Sequence, residues 1–157
     1  LLPVRLLWCM CLRERSTVVT LVENYGKFLF VEEIKNGQRV INQPAGHLEQ
    51  NESLLEAAQR ETLEETQWRV EILGVVGFGL YTAPANGVTY QRTSFFARPV
   101  AFCPEQVLDS DIEQAIWLSY DELKERRAML RSPLVLECLE RYLSGHRYPL
   151  SMIYGTR

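Results

Sequence analysis

The chain has 157 residues, 46% of them hydrophobic and 24% charged, which predicts one domain with its own core. A formal net charge of −3, with no Lys/Arg run, argues against a protein that binds nucleic-acid polymers or anionic membranes. The four cysteines form no CxxC pair and, with two histidines, give no workable zinc-ligand set. We therefore expect reduced thiols and a cytoplasmic protein.

The opening stretch, residues 1–12, is apolar apart from Arg5 but too short to span a membrane. It has no basic segment before it and no small-residue cleavage site after it, as a secretory signal would have. We interpret residues 1–15 as a leader or N-terminal extension, with Met10 as a candidate native start, and residues 16–157 as the domain.

Three short strands are predicted in the first third of the chain, because β-prone runs alternate there with turn residues. They cover residues 16–22, 27–33 and 38–42. The segment that follows, residues 43–47, is predicted to be a loop from its composition.

The middle of the chain begins with a predicted helix over residues 52–66, which are mostly strong helix formers without Gly or Pro. Asn51 is its candidate cap, and Glu52 its first residue. Two β-rich stretches follow, residues 68–82 and 87–100, and we expect them to pair or to lie near one another in a sheet.

The last third of the chain predicts a strand over residues 112–118 and a short helix over residues 120–129. A final helix is predicted after Ser132, which is its candidate cap, with Pro133 at its first position and Gly145 at its end.

Three glutamates of the middle helix, Glu61, Glu64 and Glu65, share one face on a wheel of about 100° per residue. Like charges at i,i+4 cost about 0.2 to 0.5 kcal/mol on an exposed helix. Arg60 can reach Glu64, but one guanidinium does not balance three carboxylates. Clustered carboxylate oxygens are what Mg²⁺ or Mn²⁺ requires. An ordinary solvated acidic face, paired with Arg or Lys from elsewhere, is an equally compatible interpretation of this local spacing.

The same helix has a second arc opposite the three glutamates. We expect this arc to face solvent. It carries Glu56, Gln59, Leu63 and Thr66.

The wider spacing is more specific than the helix alone. Five residues separate Gly46 from Glu52, seven more lead to Arg60-Glu61, and Glu64-Glu65 follow after two. This pattern resembles the Nudix box, G-x5-E-x7-R-E-U-x-E-E-x-G-U, where U is a bulky apolar residue.

Two positions depart from the box. Thr62 stands where the box has an apolar residue, and Gln67 stands where it has a glycine. We expect the missing glycine to change how the helix ends, because Gln adopts the left-handed cap conformation less easily.

Further stretches resemble one branch of the Nudix hydrolase family, the NudJ-type phosphatases: residues 42–49, 109–112, 131–135 and 147–150. The resemblance implies an α/β Nudix fold, a mixed β-sheet between helices in a single domain. It also implies hydrolysis of nucleoside di- and triphosphates, and of thiamine diphosphate and its hydroxymethylpyrimidine diphosphate precursor, with release of inorganic phosphate.

The resemblance also implies residue roles. Glu61 and Glu65 are expected to be ligands of Mg²⁺ or Mn²⁺, Glu64 a ligand or the base acting on metal-bound water, and the Gly46 carbonyl a further ligand. Glu64, Glu61 and Arg60 are the candidate catalytic residues. Arg60 either orients a neighbouring carboxylate or forms a simple helix salt bridge, and the sequence leaves both open.

Two residues outside the box are candidates with open alternatives. Arg92 alternates with polar and aromatic residues along a strand, so it either grips a substrate phosphate or forms a structural ion pair. Asp111 is either an additional metal ligand or a turn or cap residue.

Several other side chains are predicted to have structural or supporting roles. Glu52 is expected to be structural, Glu49 to be solvated or to support the site through water, and His47 to help shape the site. One aromatic ring is expected to stack on the organic part of a substrate, although core packing is favoured for most of the candidates. These are Phe78, Tyr81, Phe95, Phe96 and Trp117.

Two other functions remain open. One is a Nudix pyrophosphohydrolase of nucleoside diphosphate sugars or mutagenic nucleotides, which would release a nucleoside monophosphate. The other is a regulatory domain without turnover, for which the departures at Thr62 and Gln67 are the support. The expected partner is a small phosphoanhydride substrate, with no nucleic-acid polymer and no membrane, for a monomer or homodimer.

Overall fold

The computed structural model describes residues 15–155. The predicted leader or extension over residues 1–15 lies outside the described residues except for Arg15, and so does Met10, the candidate native start. In this described part, no helix combines the length and the apolar character needed to cross a membrane.

The described part of the chain forms seven strands and three α-helices. The strands are β1 (Ser16–Asn24), β2 (Lys27–Lys35), β3 (Gln38–Asn42), β4 (Ala45–His47), β5 (Trp68–Thr82), β6 (Thr89–Phe102) and β7 (Ile112–Leu118). The helices are α1 (Leu54–Thr66), α2 (Tyr120–Glu125) and α3 (Leu134–Leu143), with 3₁₀ turns at Arg127–Met129 and Leu150–Met152.

The strands form a mixed sheet in the order β3-β2-β1-β6-β5, with β4 paired to β1 and β7 paired to β2. β1 and β6 are parallel, and the other pairs are antiparallel. The predicted pairing of the two β-rich stretches in the middle of the chain is confirmed, since they form β5 and β6.

Two apolar clusters lie on opposite faces of this sheet, because successive residues of a strand point to opposite sides. Val18 of β1 packs in one cluster with Ala57 and Ala58 of α1, which are fully buried. Leu21 of β1 packs in the other with Leu139 of α3. The sheet therefore lies between helices, as the resemblance to the Nudix family implies, and the small side chains of α1 let that helix approach β1 closely.

Helix α1 begins later than predicted. Ser53 is its cap and forms a reciprocal capping box with Glu56, in which each side chain accepts a hydrogen bond from the other residue's backbone N–H. The box satisfies two N–H groups that the helix itself cannot bond, which favours Ser53 over Asn51. The prediction of Asn51 as the cap is therefore wrong, and Glu52 lies outside the helix.

Helix α1 ends on Gln67, which adopts the left-handed conformation with φ 64° and donates its backbone N–H to the Leu63 carbonyl. Its side-chain amide donates to the carbonyls of Pro104 and Gln106 at 3.2 and 2.7 Å. These bonds offset the cost of about 1–2 kcal/mol for the left-handed backbone. The expectation that the missing glycine changes the helix end is therefore wrong.

The expected solvent-facing arc of α1 is also wrong at Thr66, which is 1% exposed. Its hydroxyl donates to the Thr62 carbonyl at 2.6 Å and accepts from the Trp68 N–H at 3.1 Å. Thr66 is thus buried because it joins α1 to the start of β5. Gln59, on the same arc, is exposed as expected.

Three other elements differ from the predictions. The segment predicted as a loop over residues 43–47 contains β4, because Ala45–His47 pairs with β1. The helix predicted over residues 120–129 ends at Glu125 and continues as a 3₁₀ turn. At α3, Pro133 takes the cap position and not the first helical position, a shift of one residue.

Candidate functional site

Gly46 lies directly against the carboxylate of Glu61. A Cβ atom added at Gly46 would overlap the carboxylate group of Glu61, so a larger residue there would displace that carboxylate from its position. The requirement is steric, since Gly46 is not among the glycines with positive φ. Antiparallel pairing of Gly46 with Val18 of β1 fixes its position, and α1 packs on the same strand.

Glu65 is almost fully buried, with 9% of its surface exposed. Its Oε2 accepts a hydrogen bond from the Ala45 N–H at 3.0 Å. Burial raises the pKa of Glu65 to about 9, against the opposing effect of the Ala45 bond, and the charges of Glu61, Glu33 and Asp109 act in the same direction as burial. The ionised form of Glu65 is therefore disfavoured, first by burial and then by the neighbouring carboxylates.

Glu61, Glu64 and Asp109 form a cluster in which one carboxylate oxygen from each residue lies within 4.8 Å of the others. Asp109 is held beside α1 because its backbone N–H donates to the Glu64 carbonyl at 3.1 Å. Burial raises the pKa of Glu61, while hydrogen bonding to Arg60 opposes this shift.

The cluster adds a residue that sequence reasoning missed. Of the two aspartates in the segment 109–112, the sequence interpretation selected Asp111, whose carboxylate is mostly exposed and lies 3.4 Å from the Lys35 Nζ. The structure places Asp109 beside the glutamates instead. The only sequence signal for Asp109 was its membership in that acidic segment, because its bond to the Glu64 carbonyl is a tertiary contact.

Arg60 connects the loop before α1 to two of the carboxylates. Its Nε and Nη2 donate to the two oxygens of Glu52 at 2.6 and 3.1 Å, and Nη1 donates to Glu61 at 2.8 Å and to Glu64 at 3.1 Å. Nη2 also donates to the His47 carbonyl at 3.0 Å. Hydrogen bonding from Arg60 lowers the pKa of Glu52. The guanidinium thus both forms a salt bridge within the helix and orients neighbouring carboxylates.

The carboxylates fit a hard divalent cation. Glu61, Glu64, Glu65 and Asp109 supply only oxygen donors, which suits Mg²⁺ or Mn²⁺ better than softer metals. One guanidinium, that of Arg60, cannot balance four carboxylates, and burial, with a smaller contribution from the neighbouring carboxylates, raises the pKa values of Glu61 and Glu65. A bound dication would restore the ionised forms.

A cleft of about 790 Å³ adjoins the carboxylates. Asp109 of the carboxylate cluster lies in its lining together with Glu65 and Gly46, whereas Glu61 and Glu64 do not. Side chains from the β2–β3 and β5–β6 hairpins form its walls, and the sheet and the segment before α3 close it. These lining residues include Lys35, Gln38, Tyr81, Asn86, Tyr90, Arg92, Arg131 and Ser132.

Arg92 lies in this cleft without a carboxylate partner. Its Nη2 donates to the side-chain oxygen of Gln43 at 3.1 Å, and the Cys138 thiol lies beside it. Burial lowers the pKa of Arg92, although an arginine remains charged at any physiological pH. Within residues 15–155 Arg92 forms no ion pair, so the structural ion-pair interpretation finds no partner there.

Most of the candidate stacking rings lie in the core, as favoured by the sequence interpretation. Phe95 is fully buried, Phe96 packs on Tyr142 at 5.4 Å between ring centroids, and Trp117 packs on Trp68 at 5.8 Å. Phe78 is half-exposed outside the cleft lining. Tyr81 is the candidate that reaches the cleft.

Tyr90 is a second cleft aromatic, which sequence reasoning did not propose as a stacking ring. Its ring lies 5.9 Å from that of His47, and its hydroxyl accepts a hydrogen bond from Asn86 at 3.2 Å. His47, Tyr81 and Tyr90 therefore give the cleft an aromatic wall.

Comparison with known proteins assigns the fold and the carboxylate helix to one family. Residues 12–138 match the NUDIX domain family, and the chain therefore belongs to the Nudix family. Within it, the chain is 44% identical over 137 residues to Phosphatase NudJ of Escherichia coli K12, covering 87% of this chain and 88% of that protein. The corresponding protein of Shigella flexneri gives the same values.

Solved structures agree with this assignment. A NUDIX hydrolase from Nitrosomonas europaea superposes with a TM-score of 0.87 and 42% identity, covering 90% of this chain and 96% of that one. A UDP-X diphosphatase, at a TM-score of 0.66 and 19% identity over 85% of this chain and 64% of its own, shares the fold alone. The chain is thus a Nudix hydrolase acting on phosphoanhydride bonds and a homologue of the NudJ phosphatase.

Proposed function

We propose that the protein is a Mg²⁺- or Mn²⁺-dependent phosphatase that releases inorganic phosphate from nucleoside di- and triphosphates and from thiamine-type diphosphates. The observation that carries the proposal is the cluster of Glu61, Glu64 and Asp109, of which Asp109 lines a cleft that also holds a half-buried arginine without a carboxylate partner. The 44% identity to Phosphatase NudJ supports phosphate release over other Nudix chemistry.

In this proposal Glu61, Glu64, Glu65 and the Gly46 carbonyl hold the cation, and Asp109 joins them. A bound divalent cation lowers the pKa of a coordinated water and offsets charge on the phosphoryl oxygens. Arg60 keeps Glu61 and Glu64 in place through its bonds to both. Glu64 has the more exposed side chain, 34% against 13% for Glu61, which favours Glu64 for proton transfer with solvent.

Arg92 binds a phosphate of the substrate, and Tyr81 and Tyr90 contact its organic part. Support comes from the charge of Arg92, which forms no ion pair with a carboxylate among the described residues, while the charge of Glu137 acts on it from a greater distance. The cleft of about 790 Å³ suits a nucleotide or a thiamine phosphate, because small-molecule sites measure about 300–1,000 Å³. The expected partner is therefore a small phosphoanhydride and not a nucleic-acid polymer.

We further propose that the functional domain covers residues 16–157 and acts as a monomer or a homodimer in the cytoplasm. The location rests on the cysteine pattern, and Cys103 and Cys138 are free thiols. Light scattering of the purified chain at several concentrations would measure the oligomeric state.

A product analysis tests the reaction. Purified protein is incubated with Mg²⁺ and separately with ATP, ADP, thiamine diphosphate and a nucleoside diphosphate sugar, and the products are separated by ion exchange. The proposal predicts ADP and inorganic phosphate from ATP. AMP with pyrophosphate from ATP, or a nucleoside monophosphate from the sugar substrate alone, would assign the other Nudix specificity. No product from any of the four would favour the regulatory domain.

A further inference from the structure

Gln43 lies directly after β3 and is fully buried, with 0% of its surface exposed. Its side-chain nitrogen donates to the Val135 carbonyl in the first turn of α3 at 2.7 Å. Its side-chain oxygen accepts from Arg92 Nη2 at 3.1 Å. One amide therefore connects α3 to the guanidinium in the cleft.

The two partners fix which way this amide points. An arginine can only donate hydrogen bonds and a carbonyl can only accept them, so the amide oxygen must face Arg92 and the amide nitrogen must face Val135. Glu at this position would offer no donor to the carbonyl, and Leu would offer neither bond. Gln is thus the residue of this size that satisfies both partners.

The two arginines of the cleft differ in their partners. Arg131 Nη1 donates to the buried Glu33 carboxylate at 2.8 Å, which neutralises its charge. Arg92 is held by a neutral amide, which fixes the guanidinium without cancelling its charge. A carboxylate partner would have to be displaced before Arg92 could bind an anion, at a cost set by charge-assisted hydrogen bonding.

We propose that Gln43 is a positioning residue that holds the Arg92 guanidinium in the cleft and leaves its charge available for a substrate phosphate. The inference rests on the proposed function in that the phosphate is the one Arg92 binds there. It goes beyond that function by assigning the orientation and the free charge of Arg92 to a buried amide outside the Nudix box.

The decisive variant is Gln43→Glu, which places a carboxylate beside Arg92. We expect the KM for ADP to rise about 10-fold or more and kcat to change less than about 3-fold, because ground-state phosphate binding is weakened and the carboxylate cluster is untouched. The matched control is Gln91→Glu, the same change of charge on the exposed neighbour of Arg92 in β6. An equal rise of KM in the control would overturn the inference, since a long-range charge effect would then explain both.

A double variant tests whether Gln43 acts through Arg92. In an Arg92→Ala background, Gln43→Glu should add less than about 2-fold to KM, because the positioned group is already gone. A further rise of about 10-fold in that background would contradict a positioning role. Gln43→Leu, which removes both hydrogen bonds without adding charge, is the second variant should the buried glutamate unfold the protein. We expect its KM to rise about 3-fold or more, and an unchanged KM would overturn the inference.

A binding measurement without turnover distinguishes a failure of the role of Gln43 from a failure of the proposed reaction. Calorimetry with a methylene-bridged ADP analogue should show about 10-fold weaker binding to Gln43→Glu than to the parent protein, which is about 1.4 kcal/mol. Equal affinities would overturn the role of Gln43. If the parent protein binds the analogue, loses affinity in the variant and yet hydrolyses none of the substrates, the proposed function fails while the role of Gln43 stands.

Discussion

The carboxylate of Glu65 lies between α1 and the backbone amide of Ala45, where water reaches little of it. Its burial destabilises the ionised form, which the raised pKa of about 9 expresses. A side chain that only stabilised the fold would be better placed as an amide, because a neutral group loses less hydration on burial. The position therefore favours a role that needs the charge.

Replacing Glu65 with Gln tests whether the buried carboxyl group lowers the stability of the metal-free protein but is needed to bind metal. The amide oxygen of Gln keeps the bond from Ala45, and Gln does not have to take up a proton when it is buried at neutral pH, so we expect the metal-free free energy of unfolding to rise by about 1–3 kcal/mol. The same variant should lose the stabilisation that Mg²⁺ gives the parent protein, about 2.7 kcal/mol at a metal concentration 100 times the dissociation constant. Urea unfolding with EDTA and with Mg²⁺ measures both, and Glu113→Gln, on the exposed face of β7, is the control. Lower metal-free stability of the Glu65→Gln protein would contradict the account.

Arg92 gives a second prediction for a single side chain. Arg92→Ala removes one charge-assisted contact to a phosphate, which contributes about 1.5–3 kcal/mol, so we expect the KM for ADP to rise about 10- to 100-fold. The control is Arg98→Ala on the same strand, where the guanidinium is exposed and pairs with Glu71. Steady-state kinetics of both variants measure this effect. An unchanged KM for Arg92→Ala would contradict the role of Arg92 in binding a substrate phosphate.

At the scale of elements, the helix ends depend on local contacts that a sequence only partly reveals. Gln67 closes α1 in a left-handed conformation and connects α1 to the segment after β6 through its amide. The family pattern has glycine there, and the two residues solve the same backbone problem differently. Glycine lowers the backbone cost, whereas Gln adds side-chain hydrogen bonds.

These two effects predict different changes in stability for two substitutions at Gln67. Gln67→Ala keeps the backbone cost and loses both bonds, so we expect the free energy of unfolding to fall by about 1–2 kcal/mol. Gln67→Gly relieves about 1–2 kcal/mol of backbone cost, which offsets the lost bonds and leaves a net change below about 1 kcal/mol. Urea unfolding of both variants compares them. A glycine variant less stable than the alanine variant would contradict this explanation of the cap.

Helix α2 begins with the same kind of capping box as α1, formed by Ser119 and Glu122. Hydrogen bonding from Lys27 Nζ, and then from the Ser119 N–H, lowers the pKa of Glu122 to about 2. Because the folded pKa lies below the ordinary value of 4.5, the carboxylate contributes stability above about pH 4.5, and this stability is lost as the pH falls from about 4.5 to about 2.

The Glu122→Gln variant should therefore be less stable than the parent at neutral pH, since Gln keeps a cap acceptor but loses the charge that faces Lys27. The difference should shrink as the pH falls through that window. Urea unfolding at about pH 7, pH 4 and pH 3 tests this, with Glu125→Gln on the same helix as the control. A difference that stays constant with pH would show that the charge of Glu122 is not what matters.

At the scale of the whole molecule, contacts near in sequence were predictable and distant ones were not. The β5–β6 hairpin follows from two β-prone runs with a turn between them. The parallel pairing of β1 with β6 joins Thr17 to Arg92 across most of the domain, and no local pattern encodes it. That pairing brings Arg92 into the cleft, so its phosphate role was an open alternative in the sequence.

The site residues show the same difference between contacts near in sequence and distant contacts. The helical period alone predicts that Glu61, Glu64 and Glu65 share a face, and the resemblance to the Nudix box adds Gly46 and Arg60. Asp109 joins them through a backbone bond to Glu64, and Gln43, directly after β3, bonds to Arg92 of β6. Both contacts depend on how distant segments pack, which composition and spacing do not encode.

The central claim is that the carboxylate face of α1 holds a divalent cation beside the cleft. Electron paramagnetic resonance of free Mn²⁺, titrated with the purified protein, measures this directly. We predict that the parent protein and Glu113→Gln bind Mn²⁺ alike, and that Glu61→Gln and Glu65→Gln weaken binding by about 10-fold or more while remaining folded. A parent protein that leaves the free Mn²⁺ signal unchanged, or carboxamide variants that bind as tightly as the parent, would contradict the account.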